Sequence, residues 1–361
     1  MSKETGTVRL PCLDGLRALS IAIVLIGHFF FSGRGGGAAL GVYIFFVISG
    51  FLITTLLFYE REKSGAVDVI GFYVRRIFRL FPVLALYVAA VISCAIFLKL
   101  DFSNLEIVSV ALYFTNYYMS YLALHGSELV LPFGVLWSLA VEEHFYLFMP
   151  LVFSFVKTPK GVLKAAVLVV LFSLLVRVGY ASFFPELSGK LLAYRNSETR
   201  FDSIAFGVAL AAVFQLRSAD FLANVFGMSW VFWSGVILMV IAGVVPGSYY
   251  KETIRFTIIS VGALVVVAGA VFGKGDGVVF RFLNLSPVVL VGKMSYSLYI
   301  WHGGVDLFLS AFGGEVVEHS GIERLFLTFS LAYISFRYIE TPMIALGRTF
   351  LKRRSSREAV A

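Results

Sequence analysis

The chain has 361 residues, 59% of them hydrophobic and only 14% charged, a balance that a soluble globular domain of this length does not reach. The formal net charge of +8 does not point to nucleic acid, because the basic residues fall mostly in short segments between apolar stretches and in the C-terminal tail, where membrane topology accounts for them. Composition therefore excludes a soluble enzyme and predicts an all-α, polytopic membrane helix bundle.

The first apolar stretch, LDGLRALSIAIVLIGHFF from Leu13 to Phe30, carries Asp14 and Arg17 at one end and His28 at the other. A second apolar run begins at Leu40, so the first is read as a retained span and not as a cleaved signal. On a helix, Arg17 and His28 are separated by three full turns plus about 20°, and by roughly 16–17 Å of rise, so they share a face. Titratable groups persist in a membrane mainly where they face a bundle interior or a water-filled cavity. This helix is expected to line a polar channel.

Apolar windows near the spanning length predict about ten transmembrane helices, at 14–31, 40–59, 82–100, 137–156, 162–181, 202–216, 229–246, 255–273, 294–312 and 324–345, the sixth being short. Basic residues at Lys3 and Arg9, in 60–81, in 157–164 and in the tail all fall on one side if both termini are cytoplasmic. Arg34, Lys190, Arg195, Arg200, Lys251 and Arg255 then fall on the other side or at span edges. The connections are mostly short, which predicts one membrane domain over 1–361, with a core at 12–345 and a basic cytoplasmic tail at 346–361. Gly33 to Gly37 reads as a flexible outer turn and lacks the Lys-Ser/Thr ending of a phosphate loop. Cys12 and Cys94 match no metal-ligand spacing and are expected to be packing residues.

Residues 41–54, GVYIFFVISGFLIT, place Gly41 and Gly50 where backbones can approach closely, with Ser49 as a buried hydroxyl. FYVRRIFRLFP, residues 72–82, sets Arg76 and Arg79 on one helix face. Two guanidinium forks in that arrangement suit a diphosphate or a 3′-phosphate; the competing reading is a topology signal alone. Residues 101–136 hold Tyr113, Phe114, Tyr117, Tyr118 and Tyr121 around Asn116 and are too polar for a span, so they either lie at the outer interface as an aromatic belt or form a sugar platform.

The fourth window opens WSLAVEEHFY, with Glu142 and Glu143 about 100° apart on a helix, so that only one can face the interior seen by His28. Counted from the outer surface, Glu142 and His28 have similar depths. A carboxylate beside the imidazole would orient it as a general base for a hydroxyl; alternatively, the two would merely satisfy each other. His144 reads as an interfacial or packing residue, Arg200 and Asp202 as an external salt bridge, and Glu340, before Thr341-Pro342, as a structural pairing or helix-ending feature. Lys293, at the cytoplasmic entrance of the ninth window, either snorkels or adds a cation to the arginine pair, while Ser295, Tyr296 and His302 follow within the window.

LDGLRALSIAIVLIGH, GVYIFFVISGFLIT, RRIFRLFP, WSLAVEEHFYL, RFDSIAFG, GKMSYSLYIWH and YIETP occur in this order between residues 13 and 342. Together they resemble the acyltransferase-3 family of integral membrane O-acyltransferases, many of which modify bacterial surface polysaccharides and other glycans. The resemblance implies a multi-pass protein of the bacterial inner membrane that binds no cofactor permanently. It implies acetyl-CoA, or another acyl-CoA, as the donor substrate and a saccharide or lipid-linked glycan as the acceptor. It assigns a catalytic role to His28, supporting roles to Arg17 and Glu142, and donor binding to Arg76 and Arg79, with Lys293 as a further cation. Tyr43 stands where the family often has an acidic residue, and Gly303-Gly304 follows His302 where a proline is common nearby. Some relatives carry an added esterase-like domain. Here the membrane domain is expected to complete the transfer or to hand over to a separate protein. The oxyanion site is open among Ser49, Ser138, Ser295 and Tyr296, as is the choice between direct transfer and an acyl-enzyme. A reading from another class makes the chain a proton-coupled secondary transporter, with His28, Glu142 and Arg17 as a relay.

Overall fold

Apolar segments without water to satisfy their backbone groups must bond internally, and this chain does so as helices. The structure is a computed structural model that describes residues 11–31, 37–187, 189, 191–273, 277–313 and 320–358. Residues 33–36 of the Gly-rich turn, together with Lys3, Arg9, Arg34, Lys190 and Lys274, lie outside the described residues. Among the described residues there are helices and no strands. The first three are α1 (Pro11–Phe30), α2 (Gly37–Ser64) and α3 (Val69–Phe97). Two short helices, α4 (Asn104–Ala111) and α5 (Thr115–Leu124), follow before α6 (Trp137–Phe155) and α7 (Pro159–Phe183). Next come α8 (Leu192–Arg195), α9 (Ser197–Leu216), α10 (Ala219–Phe226), α11 (Ser229–Val244), α12 (Ser248–Glu252) and α13 (Ile254–Phe272). The chain continues with α14 (Val278–Leu283), α15 (Ser286–Lys293), α16 (Ser295–Gly313), α17 (Gly321–Ser335) and α18 (Thr341–Glu358).

Among the described residues seven helices are long and apolar enough to cross a membrane, and α10 with α11, bent by 62°, makes an eighth if the pair is one span. The chain is a multi-pass membrane protein. The windows expected at 294–312 and 324–345 are also helical, in α16 and in α17 running through a π-helical turn (Phe336–Glu340) into α18, but neither is among the seven. That turn lies just ahead of Pro342, whose missing N–H and bulky ring disturb the preceding turn of helix.

Packing around the site follows from small residues. A Cβ built on Gly50 of α2 would lie 2.0 Å from the carbonyl oxygen of Ile204, and one on Gly207 of α9 would lie 2.1 Å from that of Val47. The two helices cross backbone to backbone through this reciprocal pair, a contact that no larger residue permits. Around it, α2 packs on α1 and α9, α7 runs along α9, and α16 lies against α3 and α17. Cys12 and Cys94 are free thiols.

The aromatic segment does not span. Glu106 on α4 accepts from the amides of Val130 and Leu131, at 3.3 and 2.8 Å, and ties down the strand of chain that leads into α6. Asn116 on α5 donates to the carbonyl of Arg195 and to Ser197 Oγ, at 3.2 and 3.0 Å, and Tyr117 donates to Glu198 at 2.8 Å. These bonds fasten the segment across the start of α9.

Candidate active site

Asp68 caps α3 by accepting from the Gly71 amide at 2.9 Å, and this fixes where the arginine-bearing turns begin. One turn later the three arginines part company. Arg75 is exposed and pairs with Glu60 at 3.2 Å. Arg76 and Arg79, three residues apart, turn to the other side and line a cavity. The empty space of that cavity, its open mouth included, is about 880 Å³, and its walls are α1, α2, α3, α6 and α16. Arg17 joins the lining from α1, Ser49 from α2, Ser138, Glu142 and Tyr146 from α6, and Ser295, Tyr296 and Tyr299 from α16. Three guanidinium groups and one carboxylate face the same space, so the lining is net positive and suits an anionic ligand.

The charges are held in a mesh. The Arg76 guanidinium sits 3.5 Å from the centre of the Tyr146 ring, and the Tyr146 hydroxyl bonds to Ser49 Oγ. Glu142 faces Arg76, Arg17 and Ser49. Arg17 also reaches Asp14 at 3.4 Å. Among the described residues neither Arg76 nor Arg79 has an ion-pair partner within 4.0 Å. Ser138 bonds to the Tyr299 hydroxyl at 2.6 Å, and Tyr296 donates to the Leu80 carbonyl at 2.6 Å. All four hydroxyls considered for an oxyanion site, on Ser49, Ser138, Ser295 and Tyr296, therefore line the cavity. Lys293 is exposed at the end of α15 and is not part of the lining.

His28 stands apart from Glu142. Its Nδ1 lies 3.1 Å from Nε2 of His302 on α16, with the two rings 5.1 Å apart. The His302 ring in turn lies 5.1 Å from that of Tyr299, which lines the cavity. His28 is thus linked to the cavity wall through His302 and Tyr299, while Glu142 belongs with the arginines. Leu131 and Phe133, just ahead of α6, are only 1% and 0% exposed. The helix thus starts inside the protein, and Glu142 lines the same cavity as Arg17. Glu143 is not part of the lining, though it lies near Arg76 and Tyr113.

Two further groups support the site. Glu340, buried at the π turn, accepts from Ser297 at 2.7 Å and stands behind Arg79 and Arg17 as a structural partner. His144 bonds to Ser197 Oγ at 2.7 Å, a satisfied packing residue. The expected salt bridge between Arg200 and Asp202 is not formed. Two residues apart on a helix, they point roughly 200° away from each other. Asp202 is taken by Arg177 of α7 at 2.8 Å, and Arg200 donates to the Tyr43 hydroxyl at 2.9 Å while lying 4.2 Å from the centre of that ring. Tyr43, in place of an acid, therefore receives the cation through its ring and its oxygen.

The sequence matches a family model described as an acyltransferase domain over residues 10–337. The chain is 30% identical over 354 residues to the O-acetyltransferase OatA of Staphylococcus aureus, an alignment covering 94% of this chain and 58% of that protein. Over 357 residues it is 30% identical to the peptidoglycan O-acetyltransferase OatA of Listeria monocytogenes, covering 92% and 56%. The chain thus spans less than three fifths of the length of these relatives. No solved structure matches it.

Proposed function

The chain belongs to the acyltransferase-3 family of integral membrane acyltransferases, and we propose that it is an O-acetyltransferase moving an acyl group from cytoplasmic acyl-CoA to a hydroxyl of a saccharide. The observation that carries this reading is the cavity into which Arg17, Arg76 and Arg79 converge. Phosphates of CoA are multiply charged and planar forks recognise them in pairs, so Arg76 and Arg79 hold the donor, with Arg17 beside them. Its pantetheine arm runs along the apolar part of the lining, past Val42, Phe45 and Leu139. Glu142 spaces the arginines and keeps their mutual repulsion in check.

The thioester meets the acceptor at the Tyr299 end of the cavity. There His28 removes the proton of the acceptor hydroxyl, whose oxygen attacks the thioester carbon. The carbon–sulfur bond breaks, the new ester forms, and the sulfur takes up the proton as CoA leaves. Hydroxyls lining the cavity stabilise the oxyanion between these steps. The acceptor class is supported by one of the relatives, a peptidoglycan O-acetyltransferase. The proton-relay reading has less support, because His28 and Glu142 are engaged by different partners.

In this reading the chain is one membrane domain of the bacterial inner membrane, with about ten spans and both termini cytoplasmic. The test is purified protein in lipid nanodiscs with radiolabelled acetyl-CoA and a glycan acceptor. Ester formation on the glycan supports the proposal; acetyl-CoA binding without transfer to any hydroxyl acceptor, in a protein that instead moves solute across vesicles, overturns it.

A further inference from the structure

Two histidines from opposite ends of the sequence meet in the bundle, His28 at the last turn of α1 and His302 in α16. Each ring nitrogen of a neutral imidazole is either a donor or an acceptor, so the partners of one ring dictate the protons of the other. The Nδ1 of His302 faces the backbone carbonyl of Tyr299, one turn earlier in the same helix. A carbonyl oxygen accepts and never donates, so His302 Nδ1 carries the proton. The ring is 3% exposed and wedged among the rings of Phe29, Tyr299 and His28. Among the described residues no carboxylate bonds to it, and a second proton there would bury an uncompensated charge. His302 Nε2 is therefore a lone pair, and it lies 3.1 Å from His28 Nδ1.

We infer that His302 is a positioning residue that fixes His28 in the Nδ1–H tautomer, so that the base of the reaction is the Nε2 lone pair of His28. The carbonyl of Tyr299 sets His302, and His302 sets His28. No described residue takes up His28 Nε2, which is left for an acceptor hydroxyl. When Nε2 gains that proton, the Nδ1–H bond to His302 persists and strengthens, because its donor is now cationic. The stabilisation comes from a neutral acceptor, which keeps the imidazolium acidic enough to pass its proton on. The inference rests on the reading of His28 as the base, but the tautomer is observable apart from turnover.

The experiment is nitrogen NMR of the full chain in lipid nanodiscs with ring-labelled histidine, the His28 signals being assigned by their loss in His28→Gln. The expected result is His28 protonated at Nδ1 and bare at Nε2. His302→Phe keeps the ring volume and removes the acceptor. In it the His28 signals should shift toward the other tautomer, and kcat should fall by about tenfold or more while KM for acetyl-CoA stays within about twofold. His302→Gln, whose side-chain oxygen can accept from Nδ1, should recover much of both. His28 found protonated at Nε2 in the parent protein overturns the inference. So does a His302→Phe protein with an unchanged tautomer and unchanged turnover. If the tautomer is as inferred but His28→Ala still transfers acetyl groups, the assignment of the base fails while the positioning stands.

Discussion

Arg177 on α7 and Asp202 on α9 form an ion pair with Nη2 2.8 Å from Oδ2 and no exposed surface on either side chain. Arg177 also donates to the carbonyls of Thr199 and Thr253 and to Thr257 Oγ1, so the guanidinium binds the starts of α9 and α13 to α7. Removing one partner leaves the other charge buried and unpaired. Arg177→Met or Asp202→Ala alone should destabilise the protein by about 3–5 kcal/mol, and the double variant by clearly less than the sum. Thermal unfolding of the detergent-solubilised protein, followed by tryptophan fluorescence, checks this; additive losses would contradict it.

The three arginines of α3 give an internally controlled test of the donor site. Arg76→Ala and Arg79→Ala should each weaken CoA binding by roughly 10–100-fold, as expected for losing a charge-assisted hydrogen bond. Arg75→Ala, which breaks only the exposed pair with Glu60, should leave affinity nearly unchanged. Isothermal titration with CoA measures all three. Equal effects at the three positions would reduce the arginines to topology signals.

Glu142 and His28 are expected to act in different steps, since one faces the arginines and the other faces His302. Glu142→Gln should raise KM for acetyl-CoA more than it lowers kcat, and its effect should multiply with that of His28→Ala when residual rates are measurable. Steady-state kinetics of the two single variants and the double variant decide it. A double variant no worse than His28→Ala alone would restore the carboxylate to the imidazole's own unit.

Much of this arrangement was legible in the sequence, and the misses have physical causes. Apolar windows located the long helices, and Gly41 and Gly50 announced close backbone approaches, which the structure places against Ser20 and Ile204. The i, i+3 spacing put Arg76 and Arg79 on one face, and both line the cavity. What a linear reading does not contain is the depth at which each helix starts. The approach to α6 at Leu131 and Phe133 is buried, and Glu142 lines the arginine cavity while His28 meets His302. Nor does it contain pairings across the whole chain. His302 lies 274 positions from His28, and only the folding of α16 beside α1 reveals which of the buried groups it serves. Adjacency also misled at Arg200 and Asp202, where helical geometry sends near neighbours to opposite faces.

The proposed topology makes its own prediction. A cysteine introduced between residues 33 and 36, in a background lacking Cys12 and Cys94, should react with an impermeant maleimide added outside intact spheroplasts. A cysteine in the tail after Arg348 should react only once the membrane is opened. Labelling of the tail from outside would invert the arrangement and place the arginine cavity on the wrong face for cytoplasmic acyl-CoA.

The central claim is that His28 is the general base of an acyl transfer to a hydroxyl, and the rate of acetyl transfer by His28→Ala tests it most directly. The protein should insert and bind CoA as the parent does, while transfer from labelled acetyl-CoA to the glycan falls by about 10²–10⁴-fold, the range typical of losing a positioned base. A folded His28→Ala protein that esterifies its acceptor at close to the parental rate would contradict the account.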